Sequence, residues 1–236
     1  MILPSFYLST RANQVWDYSG IDNADQCLDW VHFNNYPWPV QYKFNSRGFR
    51  DQEWPEDLHE LKDAVWCFGD SFTVGFGAPW EHTWPFLLSK KINKRTINIS
   101  MDGASNDWMS RKINEVIADI APPWIAVQWS FTERREHPDS TLTDEQRRQW
   151  HIIGELEGIE NLLGNINQVE NHACTTVIHS TIPHFTTNQL SKTVLLKKHC
   201  RHSIPYFENL DRSRDGCHYD IKTADWVSSQ MAEFLT

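Results

Sequence analysis

The chain contains no apolar run approaching the ~18 residues a membrane-spanning helix needs, so no membrane span is expected. It has no Cys-x-x-Cys pair, and its five cysteines (Cys27, Cys67, Cys174, Cys200 and Cys217) are odd in number. This argues against a disulfide framework and for free thiols in a reducing compartment. Basic residues are in deficit: 22 Lys and Arg stand against 31 Asp and Glu, a formal net charge of −9. General nucleic-acid binding needs clustered cations that displace counterions, and is not expected here. The N-terminus, Met1-Ile2-Leu3-Pro4-Ser5-Phe6-Tyr7, lacks a basic stretch followed by a long apolar one. No signal peptide is expected, and the expected location is cytoplasmic. Internal repeats, low-complexity runs and linkers are also missing.

What remains is 236 residues, 40% hydrophobic, enough for one α/β domain with a sizeable core. The domain is expected to span 1–236, with residues 1–60 as an N-terminal extension packed on the core. In that extension Asp22-Asn23-Ala24-Asp25 can cap a helix over 26–33, which Pro37 and Pro39 end. Twelve tryptophans are many for this length, and packing accounts for most of them. Trp80 and Trp84 are the two that could line a site.

From residue 64 strand and helix patterns alternate, which predicts right-handed crossovers and a mostly parallel sheet. Strands are expected at 64–68, 95–100, 124–130, 175–181 and 204–207. Helices are expected at 83–93, 106–120, 187–201 and 221–235, with Ser105 capping the second. The capping signal Thr143-Asp144-Glu145-Gln146 predicts one long helix from there to about 170.

The first strand runs into Gly69-Asp70-Ser71-Phe72-Thr73-Val74-Gly75. Reactive groups in open α/β sheets collect at the carboxyl ends of strands, so Ser71 is a candidate nucleophile. Far along the chain, Asp215-Gly216-Cys217-His218 offers an aspartate three residues before a histidine. Together with Asn98-Ile99-Ser100-Met101-Asp102-Gly103-Ala104-Ser105, these blocks resemble the SGNH (GDSL-type) hydrolase family, in its order. The family's Gly-x-Asn-Asp block is missing: the chain reads Gln128-Trp129-Ser130-Phe131-Thr132-Glu133-Arg134-Arg135-Glu136 there. Upstream, Asn45-Ser46-Arg47-Gly48-Phe49-Arg50 is similar to a segment that precedes the nucleophile in SGNH-like proteins.

The resemblance implies a three-layer α/β/α sandwich with a flavodoxin-like sheet. It also implies a serine ester hydrolase, of esterase or lipase type or a carbohydrate O-acetyl esterase, that needs no cofactor and no metal. Ser71 would attack, His218 would take and return the proton, and Asp215 would hold the imidazole. The amides of Ser71 and Gly103 would stabilise the oxyanion, and Ser130 or Thr132 is the candidate to replace the missing asparagine. Asp70, Asn106, Arg134 and Trp80 are the candidates for substrate contact, although Asn106-Asp107 also suits capping or loop hydrogen bonding. The partner would be a small-molecule or carbohydrate ester, and oligomeric state is open. Acyl transfer to a sugar hydroxyl and a noncatalytic glycan-binding module are the competing readings.

Several further clusters carry less. Arg47 and Arg50 either touch an anionic substrate or pair with Asp51 or Glu53. His199-Cys200-x-His202, with His179 and His184, lacks the second matched pair of a metal site. Glu133 and Glu136 are expected in local ion pairs, and Cys217 points away from its neighbour His218.

Overall fold

The computed structural model describes residues 6–18, 40–170, 172–183, 195–204, 208 and 210–235. The helix expected over 26–33 lies outside them, as do His184, Trp30 and Trp38. Nine strands fall within them. β1 (Val15–Tyr18) and β2 (Val40–Lys43) form an antiparallel pair. β3 (Val65–Gly69), β4 (Thr96–Ser100), β5 (Trp124–Trp129), β8 (Thr176–Thr181) and β9 (His202–Ser203) form a parallel sheet in the order β4-β3-β5-β8-β9. β6 (Arg134–Arg135) and β7 (His151–Ile152) form a second small antiparallel pair.

The five-stranded sheet is buried on both faces, which is why its strands read as continuous apolar runs. Along β3 the pleat sends Trp66 and Phe68 to one side and Val65 and Cys67 to the other. On the first side Trp66 and Phe68 share a core with Ile113 and Val116 of helix Asn106–Asp119 and with Leu162 and Ile166 of helix Glu155–Glu170. On the second, Val65 and Cys67 meet Trp84 and Leu88 of helix Trp84–Ile92 and Val227 and Met231 of helix Ile221–Ala232. Three layers, helix on sheet on helix, follow. The N-terminal extension adds Phe6, Leu8, Phe49 and Trp54 to the first core.

The expected strands at 64–68, 95–100, 124–130 and 175–181 are present to within a residue or two. The last strand falls at His202–Ser203 rather than 204–207, and 205–207 lie outside the described residues. The single long helix after Thr143 is a correction. The capping box there closes one turn, Asp144–Arg147. The chain then extends through β7, with Trp150 and Ile153 amides donating to the Arg135 and Glu133 carbonyls, and a helix restarts at Glu155. Pairing with the loop after β5 outweighs the local helix signal, and Gly154 marks the restart.

β4 and β5 leave β3 on opposite sides, so the chain's direction reverses at the carboxyl end of β3. That is where an open sheet forms a crevice.

Candidate active site

β3 ends at Gly69, and Ser71 opens a one-turn helix, Ser71–Val74. Asp70 caps that turn: its Oδ1 accepts from the Phe72 amide at 3.0 Å. Gly75, at φ +77°, terminates it. Below the turn, Thr73 donates to Gln128 at 3.2 Å, Tyr219 donates to the same Gln128 oxygen at 2.9 Å, and the Trp84 indole donates to Thr73 at 3.1 Å. Trp84 is therefore a fully buried core residue and not the site wall that its sequence position suggested.

The turn after Ser213 brings Asp215 and His218 to Ser71. Asp215 Oδ1 accepts from Ser213 Oγ at 2.8 Å and from the Cys217 and His218 amides, each at 2.9 Å. Its Oδ2 lies 2.6 Å from His218 Nδ1. Burial works to raise the Asp215 pKa, but the His218 ring and the two amides outweigh it, so the carboxyl titrates below its ordinary value. An ionised carboxylate only accepts, so Nδ1 carries the ring proton and Nε2 presents its lone pair. His218 Nε2 is 2.8 Å from Ser71 Oγ. The ring is held between Phe72 and Phe76, at centroid distances of 4.5 and 5.9 Å. The three expected residues thus meet, each under 10% exposed.

The stretch 74–78 braces this arrangement. Gly77 has φ +72°, and a Cβ there would lie 2.3 Å from Ser213 Oγ and 2.9 Å from Asp215 Cγ. Only glycine lets the loop pass so close to the acid. The Gly77 amide donates to the Tyr42 hydroxyl of β2. Arg50, 1% exposed, donates to the carbonyls of Val74, Gly75 and Ala78 at 2.9, 2.6 and 2.8 Å, and its guanidinium lies 4.2 Å from the Tyr42 ring centroid. Burial lowers its pKa to about 10, against the pull of Tyr42 and Glu81. Arg50 thus neither faces a substrate nor pairs with Asp51, which instead binds Arg95 at 2.9 Å. Carbonyls just past a helix C-terminus attract a cation, so Arg50 needs no carboxylate here.

The other wall departs further from expectation. Asp70 is fully buried, and its Oδ2 accepts from the Ser130 hydroxyl and from Arg134 Nη1 at 3.4 Å. Both its oxygens are engaged internally, so Asp70 orients the loop and does not contact a ligand. Ser130 has donated its only hydroxyl proton to Asp70 and has none for an oxyanion. Asn106 is also fully buried: its Oδ1 accepts from the Ser130 amide at 2.8 Å and its Nδ2 donates to the Ser130 and Phe131 carbonyls at 3.4 and 3.3 Å. Asp107 accepts from the Arg135 side chain and the Glu136 amide. The Asn106-Asp107 pair therefore clamps the loop after β5 and does not reach a ligand. Thr132, 5% exposed, has a hydroxyl that makes no hydrogen bond among the described residues. Neither the Ser71 nor the Gly103 amide donates a hydrogen bond among them. Gly103, at φ +67°, is flanked by the Gln149 and Arg148 side chains, whose nearest atoms lie 3.6 and 3.8 Å from its Cβ position.

Trp80 stands apart from the triad. It packs edge-on to Phe86 and borders a cavity of about 710 Å³ with Val15, Phe44 and Gln52, whose lining includes none of the three triad residues. Glu136 is bound by Arg111 and Arg147.

Glu170, His179 and Cys200 come together, a cluster that sequence spacing pointed to only in part. The Trp129 indole donates to His179 Nδ1 at 3.0 Å, so the neutral ring carries its proton on Nε2, which faces Glu170 at 3.3 Å. A metal on Nε2 would need the lone pair that this tautomer lacks, so the residues suit a buried histidine–carboxylate contact better than a metal. Cys67, Cys174, Cys200 and Cys217 are free thiols.

No protein-family model and no curated protein matches the sequence. Solved structures do match in fold. TesA superposes with a TM-score of 0.53 at 14% identity, over 73% of this chain and 98% of that one. A family two carbohydrate esterase from Clostridium thermocellum, solved with cellohexaose, gives 0.51 at 11% identity, over 73% of this chain and 63% of that one. The three-layer fold is the one that the SGNH resemblance implied. No helix among the described residues is long and apolar enough to cross a membrane.

Proposed function

We propose that the chain is a serine ester hydrolase of the SGNH type, with Ser71, His218 and Asp215 as its triad. The observation that carries this is the pair of contacts made by one histidine: Nε2 2.8 Å from Ser71 Oγ and Nδ1 2.6 Å from Asp215. A serine hydroxyl is a weak nucleophile until a base takes its proton, and this imidazole is in reach and in the right tautomer. Ser71 Oγ attacks the ester carbonyl as His218 Nε2 accepts its proton. The charge that develops on the carbonyl oxygen is met by the unspent amides of Ser71 and Gly103. His218 then protonates the leaving alcohol, and a water deprotonated by the same nitrogen releases the acid.

The third donor falls to Thr132, because Ser130 is committed to Asp70. The substrate is a small-molecule or carbohydrate ester. The carbohydrate esterase among the matched folds supports the sugar reading. Acyl transfer to a sugar hydroxyl uses the same steps, with that hydroxyl in place of water. Hydrolysis of p-nitrophenyl acetate by wild type and by Ser71→Ala tests the proposal. Turnover that vanishes in the variant, with its fold intact by circular dichroism, is the expected result. Turnover that survives removal of the hydroxyl would place the chemistry elsewhere.

A further inference from the structure

We propose that the ester taken by this site carries a negative charge, and that Arg134 and Arg212 recognise it at the mouth of the triad. This rests on the hydrolase reading and adds a substrate class to it.

The chain as a whole is acidic, at −9, yet the two loops that frame the triad present arginines. Arg134 comes from the loop after β5. Its Nη1 donates to Ser130 Oγ at 3.1 Å and reaches Asp70 at 3.4 Å, and its guanidinium carbon lies 4.4 Å from the Phe131 ring centroid. Its Nε and Nη2 donate to nothing among the described residues, while the side chain keeps 19% exposure. The ring and the two oxygens thus fix the guanidinium and leave one edge of its fork unused. A fixed, partly spent fork suits a carboxylate, phosphate or sulfate oxygen pair.

Arg212 comes from the other side, three residues before Asp215. It is exposed, and its Nη1 donates to the Gly216 carbonyl at 2.9 Å. No carboxylate neutralises it among the described residues. The adjacent Asp211 is spent on the start of helix Ile221–Ala232, where it accepts from the Asp220, Lys222 and Thr223 amides. Cys217, exposed and next to His218, follows the Gly216 whose carbonyl Arg212 binds. Burial first, then Asp215 and Asp70, push its thiol pKa up, while Arg212 and Arg134 pull it down. Both guanidiniums are therefore within Coulombic reach of residue 217.

The opposing carboxylates near the triad are accounted for. Asp215 keeps its charge beside the neutral His218 ring but is buried and bound by Ser213 Oγ and two amides, and Asp70 is paired with Arg134 through the one nitrogen that also meets Ser130. Glu133 is the one acid of the loop after β5 with no ion pair among the described residues, and it opposes the arginines.

Two measurements test the proposal. The first compares kcat/KM for p-nitrophenyl acetate, p-nitrophenyl hemiglutarate and 4-acetoxybenzoate, which place no anion, an anion in the acyl part and an anion in the alcohol part. The expected result is a preference of about tenfold for one anionic ester over the neutral one. That ratio should fall toward one in Arg134→Gln and Arg212→Gln and recover partly in Arg134→Lys. Ser71-dependent turnover with no anionic preference, or a ratio untouched by both substitutions, would overturn the inference and leave the hydrolase reading standing. The second needs no turnover, so it still decides if the hydrolase reading fails. Cys217 is labelled with anionic and with cationic methanethiosulfonates, and its rate ratio is read by peptide mass against exposed Cys174. Faster anionic labelling at Cys217, lost in Arg134→Gln and Arg212→Gln, is expected. Faster cationic labelling would mean that Glu133 and Asp70 govern the mouth, and the inference would fall.

Discussion

The two walls of the site are built in different ways. The wall that carries Ser71, Asp215 and His218 is made of short local motifs locked by glycine turns and braced from behind by β2 and Arg50. The facing wall, from Ser130 to Glu136, has no asparagine to offer. Its polar groups are turned inward: Ser130 and Arg134 hold Asp70, and Asn106 holds the loop backbone. One wall is ready for proton transfer. The other spends most of its hydrogen bonds on positioning the first; among the described residues the Thr132 hydroxyl and one edge of the Arg134 guanidinium make none. In the proposed mechanism the base and nucleophile sit on the first wall and the third oxyanion donor on the second, so substitutions on the two walls should fail differently.

The largest effect is expected on the first wall. Ser71→Ala or His218→Ala should lower kcat by about 10⁴–10⁶-fold with little change in melting temperature, since residues of a triad act as a unit. Next comes the brace. Arg50→Ala removes a donor from three buried carbonyls, of which the Gly75 carbonyl keeps the Ala78 amide, and should cost about 3 kcal/mol or more of stability in urea titrations. Arg50→Lys should recover part of it, because an ammonium reaches fewer of the three.

The second wall should give smaller losses, of two kinds. Thr132→Ala is expected to reduce kcat by about 10²-fold at unchanged KM, as for loss of one oxyanion donor. Ser130→Ala should instead destabilise by about 1–2 kcal/mol, because it strips Asp70 of a buried partner. Equal kinetic losses in the two variants would erase the distinction drawn between these hydroxyls.

The smallest effect is the pH dependence of stability. Asp215, Asp107 and Asp144 all titrate below their ordinary value of 3.8 in the folded chain: burial opposes the shift, while His218, Asn165 and Arg135, and Lys112 and Arg111 respectively, enforce it. A depressed carboxyl contributes stability that is fully present above the unfolded pKa and is lost as the pH falls through the folded one. Urea midpoints should therefore drop between pH 5 and pH 2, and less steeply in Asp215→Asn.

The first wall could be read in the sequence because its signals are local. Gly-Asp-Ser stops a strand, and Asp-x-x-His closes on itself in a single turn. The second could not, because its contacts join residues far apart in the chain. Ser130 finds Asp70 60 positions away, and Asn106 meets Ser130 24 positions on. Asn106-Asp107 carried the right residue types for a site and served instead as a clamp. The helix expected over 143–170 broke for the same reason: pairing of 150–153 with 133–135 is invisible to a capping signal. The sheet order was open too, since strand patterns fix the strands and not their neighbours.

The central claim is that Ser71 is an activated nucleophile, and the most direct test is its reaction with a fluorophosphonate, read by intact mass and peptide mapping. The account predicts a single adduct on Ser71, missing in Ser71→Ala and formed at least about 100-fold more slowly in His218→Ala. A well-folded wild-type chain that stays unlabelled, or an adduct carried by a different residue, would contradict it.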